Sequence, residues 1–308
     1  MKIKTISDAY TKHKPIRNKI KTYVPLSIID KVIDVMHAKI DPLSPEEWEY
    51  LPWEVLLLVR WVYQYAERGI DLKNITDYEF HSLIKNIRDL KQQKNEKFYY
   101  ILTRGMHDQI SFQISDNSFL SRISRQLVMF DDLMESQNNL NTTFQDITGL
   151  PLKAFFELCI ACLACRQDVK LSVEYFQKQF RKEIIQNFFS TLSLTMPEAE
   201  AYIREYSKNK NRKDIWYQIN EHTPLWRYPF FEDDGLYRPY SYKLLLSSFS
   251  YIVYDIFKER HPDFSVKFFG KIFEKYITKG IEYKCLNFLT EKEIKSRIPK
   301  DSKCVDFL

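Results

Sequence analysis

Trp53-Glu-Val-Leu-Leu-Leu-Val-Arg-Trp-Val-Tyr-Gln-Tyr-Ala-Glu-Arg-Gly69 is apolar around most of a helical circumference, and its reading decides the fold. The run is too long for an ordinary strand, and a helix with no polar side has to be surrounded by protein. It is therefore read as the central helix of a helical core. Arg68-Gly69 is a normal helix stop. Upstream, Ser44-Pro45-Glu46-Glu47 is a start signal: Ser44 caps the free amides, Pro45 suits the first helical position, and Glu47 completes a capping box. Pro52 then breaks or restarts that helix.

Working outward, helical periodicity is found at about 77–93, 97–106, 118–136, 151–167, 172–191 and 197–207. A longer helix is predicted from Ser241 to about Glu259, ended by His261-Pro262-Asp263, and another from Ser265 to Thr278. Composition agrees, because the chain has 6 Gly where average usage would give roughly 22, which starves turn-rich β architectures. No period of 20–50 residues repeats, so a solenoid is not indicated. The polar stretch Tyr206 to Asp214 reads as a linker and divides the chain into 1–214 and 215–308. Pro224 to Pro239, rich in Pro and aromatics, reads as an ordered connection. Beyond Gly280 the runs Ile281 to Leu289 and Lys303 to Leu308 read as strands.

Several classes are disfavoured. The amino terminus lacks the apolar region of a signal peptide, and no uncharged apolar run reaches the ~18 residues of a membrane span. A cytoplasmic protein with no membrane partner is expected. The odd count of 5 Cys gives no disulfide framework. Cys159, Cys162 and Cys165 have iron–sulfur-like spacing, but the Ile, Ala, Leu and Ala between them read as a buried helix, so neither a cluster nor a zinc is expected. No Walker loop, dinucleotide fingerprint, nucleophile elbow or His-x-x-x-His pair occurs. The net charge of +5 is a mild excess. Its basic clusters, Lys2 to Lys21 and Lys208 to Lys213, read first as solvated segments, although each has the charge to meet phosphate.

The carboxyl-terminal stretch carries the chemistry. In Phe268-Phe-Gly-Lys-Ile-Phe-Glu-Lys-Tyr-Ile277, helical spacing gathers Phe268, Phe269, Ile272, Phe273, Tyr276 and Ile277 on one apolar face and puts Glu274 at its edge, bordering the core. Gly270, one turn before, leaves room for another backbone to come close. Lys271, Lys275 and Lys279 form a basic stripe beside Glu274 suited to a phosphate backbone, or to an ordinary wet helix face. Asp306 stands among Val305, Phe307 and Leu308, where a carboxylate is costly unless it lies at a strand end or binds a cation such as Mg²⁺.

Phe269-Gly-x-x-Phe-Glu-x-Tyr276, then a strand, then a strand with Asp306 between hydrophobic residues, resembles the opening of the PD-(D/E)xK, or restriction-endonuclease-like, nuclease superfamily. The resemblance implies a mainly α protein: a multi-helical amino-terminal domain followed by the first helix and strands of an α/β nuclease core. It implies that Asp306 and Glu274 act as catalytic and metal-binding residues, that Mg²⁺ is held only once the site is complete, and that DNA is the substrate. Restriction or anti-phage defence factors with large helical extensions are similar, with the helical part selecting substrate or a protein partner. The superfamily's acid-x-Lys pair on a following strand, which helps activate the attacking water, has no counterpart after Asp306. Pro262-Asp263 and Glu293-Ile294-Lys295 spell the signature literally but read as a helix boundary and an exposed charged turn or helix. The alternative is a helical interaction or regulatory module without catalysis, binding nucleic acid or a protein partner. On either reading these 308 residues are expected not to degrade DNA in Mg²⁺. DNA degradation that disappears in Asp306→Ala is the contrary result.

Overall fold

The computed structural model describes residues 6–38, 50–67, 69, 71–91, 116–132, 140–165, 168–208, 215–219, 221–261, 263–284, 293 and 296. The protein is mainly α. Its first described helices are α1 (Ile6–Ile20), α2 (Pro25–His37), α3 (Pro52–Tyr65) and α4 (Asp77–Lys91). The expected helix start at Ser44 and the expected helix over 97–106 lie outside the described residues.

The expectation for the central helix holds. α3 begins at Pro52, in the first turn where a missing N–H costs nothing, and every residue from Glu54 to Tyr63 is buried. Its polar side chains therefore need partners inside the protein. Glu54 accepts from Arg88 of α4, with Nη2 to Oε2 at 3.0 Å. Arg60 donates from Nη1 to Glu221 Oε2 at 3.0 Å. The Trp61 indole donates to Gln218 Oε1 at 2.9 Å, and the Tyr63 and Tyr240 hydroxyls lie 2.5 Å apart. Sequence-distant segments are thus fastened to one buried helix.

The middle of the chain forms α5 (Asp116–Leu127), continued by a π-helical turn at Val128–Asp132, then α6 (Leu140–Thr148), α7 (Leu152–Ala164), α8 (Val173–Phe176) and α9 (Lys182–Leu192). α6 is absent from the sequence reading. Leu140, Phe144 and Thr148 recur every fourth residue and are buried, but the helix is short. The helix expected over 172–191 is two, because the chain turns after Phe176, whose carbonyl accepts from the amides of Gln179 and Phe180 at 3.0 Å. The cysteine-bearing segment is helical as read. Cys159 and Cys162 are buried in α7, and burial raises both thiols well above the ordinary value.

β1 (Ser193–Thr195) runs into α10 (Met196–Tyr206), whose start is a capping box made by Thr195 and Glu198. α11 (Ile215–Ile219) follows, then a hairpin of β2 (Phe230–Asp233) and β3 (Leu236–Pro239). β1 pairs in parallel with β2, and β2 antiparallel with β3. The hairpin turns at Asp234-Gly235, both at positive φ (50° and 74°), as a tight two-residue connection of twisted strands demands. α12 (Tyr242–Phe249) and α13 (Ile252–Arg260) replace the single long helix expected from Ser241. Between them the Ser250 hydroxyl donates to Leu246 O at 2.7 Å, and Tyr251 leaves helical geometry at φ −139°. A π-helical segment, Phe264–Phe269, leads into α14 (Gly270–Tyr283).

That last helix corrects one expectation. Ile281 to Tyr283 continue α14 instead of starting a strand, because Ile277 and Ile281 keep helical spacing and the Lys284 amide closes the end on Gly280 O at 3.2 Å. The alternation read there was too short to outweigh an established helix. The run from Lys303 lies outside the described residues.

Two hydrophobic cores result. One joins α1 to α4 with Ala199, Ile203, Ile219, Phe231, Tyr240 and Leu244. The other joins α5 to α9 with Phe230, Tyr237, Leu245, Phe249, Phe257, Phe264 and Ile272. Successive strand residues point to opposite faces, so Phe230 and Phe231 enter different cores, and β2 stands between them. Both cores contain residues from before and after 209–214. No single helix among the described residues is long and apolar enough to cross a membrane.

His13 of α1 is buried against Trp61, ring centroids 4.5 Å apart, and neither ring nitrogen has a hydrogen-bond partner. Burial, aided by the Arg17 charge, lowers its pKa to about 4. An unfolded chain binds this proton below about 6.5, while the folded chain refuses it until about 4. Stability is therefore full above about pH 6.5 and falls as pH drops through that window, by up to about 3 kcal/mol. Urea titrations at pH 7 and pH 4.5 should show this loss in the parent and a smaller one in His13→Leu. Equal losses in both contradict the assignment.

Candidate functional site

The residues singled out by sequence fall on α14 or beyond it. Ile272 is the buried residue of this helix, anchoring it to the second core, while Phe268 and Phe269 pack partly against that core. Phe273, expected on the apolar face, is 47% exposed and stacks on Phe269 at 6.1 Å. Tyr276 and Ile277 are half-buried. Among the described residues the face is thus only partly covered.

Glu274 does not border the core. It is exposed, and its backbone carbonyl accepts from the Thr278 hydroxyl at 3.0 Å. At Gly270 an added Cβ would meet nothing within 4 Å, so no described residue makes the close backbone approach expected there. The single-turn spacing was legible; the side from which a neighbour would come was not. Asp306 lies outside the described residues, as do Pro262, Ile294 and Lys295.

Lys271, Lys275 and Lys279 are all exposed. None of them makes an ion pair among the described residues, although Glu274 and Glu282 share their helix. Fixed by the helix at four-residue intervals, they form a lysine edge that is not ion-paired among the described residues. Such an edge attracts a polyanion and releases counterions when one binds.

Two polar assemblies escaped the sequence reading because their members are far apart in the chain. The first is an open cleft of about 620 Å³ lined by Asp30, Asp34, Asp168, Lys170, Asp233 and Arg238. Arg238 is buried at its base, paired with Asp30 and 3.9 Å from Asp233, while Asp168 accepts from the Tyr175 hydroxyl at 2.8 Å. The nearby His37 ring is bonded to Pro239 O at 3.0 Å, and burial lowers its pKa. Carboxylates outnumber cations in the cleft, so it repels phosphate.

The second assembly ties α9 to α13. Arg227 is buried and donates from Nη1 to Thr191 O at 2.7 Å, satisfying a carbonyl in the last turn of α9. Its Nε donates to Glu259 at 2.5 Å, and the Tyr228 hydroxyl holds the other oxygen of that carboxylate at 3.1 Å. Burial raises the pKa of the adjacent Asp255, against the opposing charges of Arg227 and Lys258. Arg227 and Tyr228 converge on the Glu259 carboxylate and make the assembly a clasp between the two helices, although the buried Arg227 Nη2 has no hydrogen-bond partner.

No group of three or more His, Cys, Asp or Glu able to hold a metal ion occurs among the described residues. Glu274 thus offers a single exposed carboxylate there, and no step through Mg²⁺ can be derived from it. Comparison with family models, curated proteins and solved structures gives no match to this chain.

Proposed function

We propose that this protein is a nucleic-acid-binding helical module whose phosphate contact runs along the lysine edge of α14. The observation that carries this reading is that Lys271, Lys275 and Lys279 are exposed, regularly spaced and, among the described residues, not ion-paired. The acidic cleft beside Arg238 is unfit for the same ligand, which directs a polyanion towards the basic helices. DNA is the partner proposed, with the helical remainder as the scaffold.

A second reading, a Mg²⁺-dependent nuclease of the PD-(D/E)xK kind serving restriction or anti-phage defence, is favoured by the helix that carries Glu274 where the resemblance asks for one. It requires Asp306 as a metal ligand and a completed site. The two readings separate on the same four positions. Binding to a DNA duplex, followed between 50 and 200 mM salt, should lose roughly 0.9 from the slope of log affinity against log salt for each of Lys271→Gln and Lys275→Gln. Glu274→Gln and Asp306→Ala should bind as the parent or slightly tighter. Unchanged slopes in both lysine variants overturn the proposal. Mg²⁺-dependent cleavage abolished by the acidic substitutions would favour the nuclease.

A further inference from the structure

We propose that α1 carries a second nucleic-acid contact, a stripe of Tyr10, Lys14 and Arg17 continued by Lys21 in the turn that follows the helix, which takes single-stranded nucleic acid. Its assignment does not rest on that of α14. The sequence shows only that the amino terminus is basic; the helix decides where the charges go. At 100° per residue, these positions fall within an arc of roughly 60°. The stripe flanks the face formed by His13, Ile16 and Ile20, which is buried against the first core. Along the axis it runs for about 16 Å, the rise of roughly four to five stacked nucleotides at ~3.4 Å each.

Tyr10 is 51% exposed, and the Arg17 guanidinium lies over its ring at 5.9 Å. The Arg17 Nε is buried with no acceptor. Lys14 is exposed without an ion pair among the described residues, while Lys21 pairs with Glu67. A flat ring beneath a guanidinium, with Lys14 one turn further along the helix, offers stacking to a base and charge to its phosphates. Duplex bases have no free face to stack, which selects a single strand. A lipid surface would want exposed aliphatic groups here, but the exposed neighbours on this helix are Thr11, Lys12, Pro15 and Asn18. Lys12 lies on the opposite flank and serves as a charge-matched control.

The test uses the full chain and a fluorescent 20-nucleotide oligothymidylate, with anisotropy read across a salt series. Tyr10→Ala is expected to weaken binding about five- to a hundredfold, and Tyr10→Phe to restore it. Lys14→Gln should lower the salt slope by about 0.7, and Lys12→Gln should not. Lys271→Gln reports the α14 contact separately, so either assignment can fail alone. The proposal is overturned if the parent does not bind the oligonucleotide, or if Tyr10→Ala and Lys14→Gln bind like the parent. It is also overturned if polyglutamate binds equally tightly and Tyr10→Ala affects neither ligand.

Discussion

The burial of α3 constrains everything else. A helix with no wet side has to satisfy Glu54, Arg60, Trp61 and Tyr63 inside the protein, and the partners it finds are Arg88, Glu221, Gln218 and Tyr240. Arg60 is 1% exposed, and its guanidinium also lies over the Tyr206 ring at 5.4 Å. Leaving one member of a buried ion pair alone costs about 3–5 kcal/mol, so these partners fix position more than they add stability. Through them Gln218, Glu221 and Tyr240 at the end of the β2–β3 hairpin are held against the amino-terminal helices.

The hairpin continues the same logic. Phe230 enters one core and Phe231 the other, and Arg238 fastens β3 to Asp30 of α2. On the far side Phe189 and Tyr237 stack face to face at 3.9 Å, linking α9 to the sheet. The two cores therefore share a wall, and each basic helix rests on one of them: α1 on the first through Ile16 and Ile20, α14 on the second through Ile272.

Much of this was legible in the sequence, and the omissions have physical causes. The apolar run from Trp53 announces a central helix, Pro52 marks its start, and the apolar residues between Cys159 and Cys165 announce a buried helix. The strands were missed because runs of three and four residues are too short to show a period of two, although Asp234-Gly235 was the hairpin signal available. The break at Ser250 was missed because it comes from a hydroxyl competing for a backbone carbonyl, within a hydrophobic pattern that continues across it. At the candidate site the lysine spacing was legible, whereas the exposure of Glu274 and the empty space at Gly270 depend on neighbours that sequence does not name. The α1 stripe was hidden because its basic cluster had not been read as a helix.

Function on this account follows from charge that the scaffold leaves uncompensated. Acidic side chains gather in the cleft beside Arg238, and exposed lysines without an ion pair among the described residues stand on α1 and α14. The most direct measurement is hydrogen exchange of the full chain with and without a saturating single-stranded oligonucleotide. The account predicts slowed exchange in 6–20 and 270–283, with α3 slow in both states and unchanged. No slowing in either helix, or slowing confined to the acidic cleft, would contradict it.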